Sequence, residues 1–70
     1  MSKTPEEEIA GFREKIRKLE KGIEGMLEDA RKAAGRGDFK EETRLLSNSM
    51  KARGDIQLYQ RMIRELGGTP

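Results

Sequence analysis

The side chains that could carry chemistry in this chain are amines, guanidinium groups, carboxylates, hydroxyls and one phenol, because its 70 residues include no Cys and no His. Without thiolate or imidazole, zinc and most transition-metal sites are excluded. General acid–base or nucleophilic catalysis would then fall to Glu, Asp, Lys, Ser or Tyr. Ser47 and Ser49 have no identifiable base near them in the sequence. We therefore expect no enzyme activity, no metal and no cofactor.

A second kind of chemistry is the binding of an anion by basic side chains beside an aromatic ring. Tyr59 with Arg13, Arg17 and Arg61 is the candidate cluster, since a small anionic ligand such as a nucleotide needs only a few cations and one ring for stacking. Tyr59 also fits an ordinary core position. Nucleic acid is a weaker prediction, because 15 basic residues are interleaved with 13 acidic ones.

The elements that must position these side chains are helices with one apolar edge. Residues 4–8, TPEEE, start the first helix, with Thr4 as cap and Pro5 at the first helical position. The apolar residues that follow are spaced alternately three and four apart, which is the pattern of a coiled-coil seam. These seam residues are Ile9, Phe12, Ile16, Leu19, Ile23, Met26, Ala30 and Ala33. The pattern predicts helix 1 over about residues 5–34.

The tripeptide Arg-Gly-Asp occurs twice, and its first copy, residues 36–38, reads as a turn. Gly35 or Gly37 can end helix 1, and Asp38 can cap a second helix. A role as an adhesion motif is the weaker alternative. We predict a turn over 35–37, helix 2 over about 38–66, and a disordered tail over 67–70. The seam of helix 2 is Leu45, Ser49, Ala52, Ile56, Tyr59, Ile63 and Leu66.

Two helices of nearly equal length joined by a short turn predict a single all-α domain over residues 1–70, an antiparallel hairpin. In this register Phe12 lies beside Tyr59. A chain of this size buries only about 60% of its unfolded surface and usually needs a further source of stability. Because disulfides are excluded, we expect dimerisation into a four-helix bundle.

The second Arg-Gly-Asp places Gly54 inside helix 2, where glycine costs roughly 1 kcal/mol relative to alanine. A break at this glycine would give a three-helix bundle. An unbroken helix instead lines up apolar residues four apart on the side away from helix 1, as a ridge that a second helix could contact. We favour this alternative, because the seam keeps its register across Gly54. The predicted interface is Leu46, Met50, Gly54, Leu58 and Met62.

Helix 1 offers a different self-complementary surface, since one side carries the basic residues Arg13, Arg17 and Lys21 and the acidic residues Glu20, Glu24 and Glu28. An antiparallel copy would oppose unlike charges. Pairing of these charges within one helix is the stronger alternative.

Together these patterns predict a small non-enzymatic interaction module, such as an adaptor, assembly factor or inhibitor, that binds itself and a protein partner. The alternative is an oligomeric hairpin that holds a small anionic ligand or nucleic acid. In size and outline the predicted hairpin resembles the compact helical proteins with which phages sequester signalling nucleotides or block host enzymes. No apolar run approaches the ~20 residues that span a bilayer, so we expect a cytoplasmic chain with no membrane partner.

Overall fold

The computed structural model describes residues 3–69, which form two helices, α1 (Pro5–Gly35) and α2 (Phe39–Glu65), and no strand. The helices run antiparallel and pack along their length, so that the molecule measures 51 × 20 × 14 Å. The predicted all-helical architecture with two helices is confirmed.

Both ends of α1 are closed by local hydrogen bonds. The Thr4 hydroxyl accepts from the Glu7 backbone N–H at 3.2 Å, and Pro5 occupies the first helical position. At the other end Gly37 takes a positive φ of 75°, and the Asp38 N–H donates to the Ala33 carbonyl at 2.9 Å. This left-handed glycine with its backward hydrogen bond is a Schellman cap.

The first Arg-Gly-Asp is therefore a turn between two helices. Arg36 is the C-cap of α1, Gly37 reverses the chain, and Asp38 is the N-cap of α2. The Asp38 carboxylate accepts from the Glu41 N–H at 3.2 Å, which satisfies one of the free donors at the helix start. The side chain of this aspartate thus has a structural partner within its own helix.

Helix α2 is continuous through Gly54, so the alternative three-helix bundle with a break at this position is wrong. Asp55 lies in the helix interior and starts no new helix. The register of the seam explains this outcome, because Ala52 and Ile56 both face α1 and their burial holds the glycine between them in the helical conformation.

The core is the single seam between the helices. All the predicted seam residues of both helices are buried or half-buried. The buried set is Ile23, Ala30, Ala33, Leu45, Ser49, Ala52 and Ile63. Ser49 is the one polar member of this set, and its hydroxyl donates to the Leu46 carbonyl at 2.7 Å. A buried polar group that keeps its hydrogen bond avoids most of the desolvation penalty.

The open end of the hairpin is closed by residues that follow α2. Gly67 takes a positive φ of 88°, and the Gly68 N–H donates to the Ile63 carbonyl at 2.9 Å, which repeats the Schellman cap of α1. Arg13 donates to the Thr69 carbonyl at 3.1 Å. Residues 67–69 thus make hydrogen bonds to the hairpin, and Pro70 lies outside the described residues; the disordered tail over 67–70 stays a prediction.

Candidate interaction face on α2

The exposed large apolar side chains of the described residues all lie on α2. They are Phe39, Leu46, Met50, Leu58 and Met62. Met50 is 70% exposed and Phe39 is 66% exposed, whereas every large apolar side chain of α1 is at least half-buried. The four predicted interface residues with side chains are therefore available to a partner. We call the row Leu46, Met50, Gly54, Leu58 and Met62 the outer row.

The outer row crosses the back of α2 obliquely. At about 100° per residue, Gly54 lies opposite the seam, since it is two residues from both Ala52 and Ile56. Each step of four residues turns the row by about 40°, so Leu46 and Met62 lie on opposite flanks of the helix. The row therefore presents an oblique apolar ridge with a glycine at its centre.

Phe39 extends this apolar surface toward the turn, and the prediction from sequence missed it. It lies seven residues before Leu46, so both side chains share one side of the helix. That spacing was the signal in the sequence. Because Phe39 directly follows the N-cap Asp38, the sequence pattern assigns it to the helix start and not to an apolar face.

At the open end the outer row borders a shallow groove of about 190 Å³ between the helices. Met62, Leu66 and Phe12 supply its apolar wall, and Glu8 and Glu65 lie at its rim. The groove joins the outer row to the edge of the seam, so a partner on Met62 would also contact the aromatic ring of α1.

Gly54 makes no close contact inside the chain. A Cβ built on it would meet no atom within 4 Å, so nothing in the hairpin requires a glycine here. The same holds for Gly11, Gly22 and Gly25 on α1, and these have no exposed apolar row beside them. Gly54 is thus distinguished by its neighbours: Met50 and Leu58, one turn away on each side, are both exposed.

The three arginines of the candidate anion-binding cluster each contact a group of their own. Arg17 donates to both carboxylate oxygens of Glu14, with its Nε 2.9 Å from Oε2. Arg61 lies 3.7 Å from the Glu65 carboxylate, and Arg13 is bonded to the carbonyl beyond the end of α2. No shared anion site formed by these three arginines is visible among the described residues.

Tyr59 itself is half-buried in the seam, where its ring stacks on Phe12 with centroids 5.6 Å apart. The cation beside it is Lys15, whose Nζ lies 5.5 Å from the Tyr59 ring centroid and 5.8 Å from that of Phe12. Sequence reasoning missed Lys15, because the ring pair that attracts it forms only when the helices pack. Tyr59 therefore packs in the seam, with the exposed Lys15 beside its ring.

The exposed charges pair mainly within each helix. Hydrogen bonds from Arg17 hold the pKa of the Glu14 carboxyl below its ordinary value of 4.5, and hydrogen bonds from Arg44 do the same for Glu41. For helix 1 this favours pairing inside one chain over pairing with an antiparallel copy, since Arg17 already has a partner.

Comparison of the chain with protein-family models, with curated proteins and with solved structures gave no match. Neither α1 nor α2 has a stretch apolar enough to cross a membrane.

Proposed function

We propose that this chain is a small protein-interaction module that binds through the outer row of α2 and that its first partner is a second copy of itself. The observation that supports the proposal is the confinement of the exposed large apolar side chains to this one helix. Single exposed apolar residues are common on monomers, whereas a contiguous apolar row marks an interaction surface.

The small size of the hairpin core gives a reason for self-association. Beyond the seam, no second layer formed by residues 3–69 covers the exposed apolar side chains of α2. Covering Met50, Leu58 and their neighbours in a dimer would remove apolar surface from water at about 25 cal/mol per Å². A pair of hairpins joined in this way contains four helices, and its remaining surfaces stay free for a further protein partner. Assembly or inhibition of that partner would then be the role of the module in the cytoplasm.

The experiment that tests the proposal is sedimentation equilibrium over a concentration series, with Gly54→Leu compared with Gly22→Leu. Both glycines lie in helix interiors with no atom within 4 Å of a built Cβ, so both substitutions gain helix propensity without a clash inside the chain. We expect wild type and Gly22→Leu to dimerise alike and Gly54→Leu to shift toward monomer by at least tenfold in dissociation constant.

Equal association of all three proteins, or a wild type that stays monomeric at every concentration, would overturn the proposal. Native mass spectrometry of the same samples adds a check on the anionic-ligand alternative. Additional mass bound to each subunit would favour that alternative, and its binding would weaken steeply with salt.

A further inference from the structure

We infer that two copies associate through an antiparallel α2–α2 contact with the twofold axis beside Gly54. This inference rests on the proposed function and specifies its geometry. The outer row is symmetric about Gly54 in spacing, and each pair of matched positions holds one Met and one Leu. Met50 and Leu58 lie four residues to either side, and Leu46 and Met62 lie eight residues to either side. A twofold interface needs such a self-complementary surface.

The oblique course of the row sets the crossing angle. Rows four residues apart are inclined by about 26° to the helix axis, and packing two such rows gives an interaxial angle near −50°. Met50 of one copy then meets Leu58 of the other, and Leu46 meets Met62. Gly54 at the crossing point lets the axes approach closely, because no side chain separates the backbones.

Charges beside the crossing point fit the antiparallel arrangement. Lys51 and Asp55 are four residues apart on one flank of α2, and the structure forms no ion pair between them. Under an antiparallel twofold axis, the same flank of both α2 helices lies on the same side of the contact. Lys51 of one copy therefore lies about 3 Å along the axis from the level of Asp55 in the other. The pair occurs twice in the dimer and opposes unlike charges, whereas the two Asp55 carboxylates, also about 3 Å apart in level, form one approach of like charges.

The opposite flank carries one unfavourable feature. The Arg53 residues of the two copies are separated by only about 3 Å along the helix axis. Their guanidinium groups therefore approach each other. In the antiparallel geometry Lys51 is therefore favourable for the dimer and Arg53 is unfavourable. Removing Lys51 should weaken the dimer, whereas removing the charge of Arg53 should strengthen it.

Cysteine cross-linking tests this geometry directly, because the chain has no native cysteine. Helix axes 8–10 Å apart would place the two Gly54 Cα atoms about 3.5–5.5 Å apart, which overlaps the range of a disulfide. We expect Gly54→Cys to form a disulfide dimer under mild oxidation. Ser47→Cys is the control, since its counterpart in an antiparallel pair lies about 21 Å away along the axis.

Gly54→Cys could itself disturb the contact, because it adds a side chain at the crossing point. A mixture of Met50→Cys and Leu58→Cys tests the same geometry with Gly54 unchanged. We expect the mixed disulfide to exceed either self-disulfide by at least fivefold. A parallel dimer would cross-link Ser47→Cys to itself, and that result would overturn the inference while leaving self-association intact. If sedimentation shows dimers but none of these positions forms a cross-link, the inferred geometry is likewise overturned and self-association is retained.

Charge reversal supplies an independent readout. Lys51→Glu and Asp55→Lys alone each place like charges across the interface, so each should weaken its own dimer by about tenfold. Mixed together, the two variants restore both pairs only between chains. We therefore expect more than the statistical half of the dimers to be heterodimers in native mass spectra. A statistical mixture would overturn the charge assignment, because effects inside one helix cannot favour the heterodimer.

Arg53→Gln is a third charge variant, and its expected effect on dimer affinity is opposite to that of Lys51→Glu and Asp55→Lys. Relief of the repulsion between the two guanidinium groups should tighten the dimer by about twofold to fivefold. The gain should shrink as salt rises, because salt screens exposed charges. A weaker Arg53→Gln dimer would contradict the proposed twofold axis.

Discussion

The two helices of the hairpin use their apolar residues differently. In α1 the large apolar side chains lie along the seam and are at least half-buried, so the outside of this helix is polar. In α2 a similar seam is present, but a second apolar row runs across its back, with Met50 70% exposed. Because α1 covers the seam of α2, the large apolar side chains that stay exposed among residues 3–69 are those of the outer row and Phe39.

This difference separates residues that hold the hairpin together from residues that are available for binding. The seam residues of α2 alternate in steps of four and three, whereas the outer row keeps steps of four. The first pattern follows a neighbouring helix along its length, and the second crosses a neighbour at an angle. The spacing itself thus distinguishes the two rows, and the proposed second copy would contact only the outer row.

The largest expected effect comes from substitution in the seam. Ile63 is fully buried, so Ile63→Ala should cost about 2–5 kcal/mol of unfolding free energy, which is a large part of the total for so small a domain. Met50→Ala should change the stability of the monomer by less than about 0.5 kcal/mol and should weaken self-association instead. Urea denaturation at a low and a high protein concentration separates the two effects. Similar losses at low concentration would break the distinction between the rows.

A smaller effect is expected where the end of α2 meets the start of α1. A Cβ at Gly68 would lie 2.9 Å from Ile63 Cγ2 and 2.9 Å from Ile9 Cδ1, and the buried β-branched Ile63 has little room to move. Gly68→Ala should therefore cost about 1–3 kcal/mol.

Gly35→Ala is the matched control for this cap, because a Cβ there meets nothing within 4 Å. It should be neutral or stabilising by up to about 1 kcal/mol. Thermal unfolding of the two variants side by side gives the comparison. A neutral Gly68→Ala would mean that the C-terminal cap does not pack on the seam.

The smallest expected effect concerns the ion pair on each helix. The pKa values of Glu14 and Glu41 are lowered in the folded chain, so each carboxylate stabilises the fold above its unfolded pKa. That contribution is lost as the pH falls through the folded pKa, below about 4.5. Denaturation at pH 7 and pH 3 should therefore give lower stability at pH 3.

Substitution of the two glutamates sharpens the comparison between the helices. The Glu41 side chain is 35% exposed against 50% for Glu14, and it lies in the first turn of α2, where the helix dipole favours a negative charge. Glu41→Gln should thus remove more of the pH dependence than Glu14→Gln. The reverse order would assign the effect to other carboxylates.

The sequence by itself determined the features whose causes lie within one or two helical turns. Thr4 and Asp38 cap the helices through backbone groups three residues away, and Gly37 supplies a backbone conformation that other residues rarely adopt. The seam and the outer row also follow directly from the spacing of apolar residues. The paired helices and the exposed row on α2 could therefore be predicted.

Only the tertiary structure decided the features that depend on contacts between distant residues. Helix α2 continues through Gly54 because the flanking seam residues Ala52 and Ile56 pack against α1. Helix propensity, which depends only on residue type, does not include the free energy of this packing. The Arg13 side chain bonds a carbonyl 56 residues away, and Lys15 lies over a ring pair that forms across the helices. The predicted anion-binding cluster stays a prediction. The partners of Arg13 and Lys15 could not be read from the sequence, because packing places these side chains beside groups that are distant along the chain.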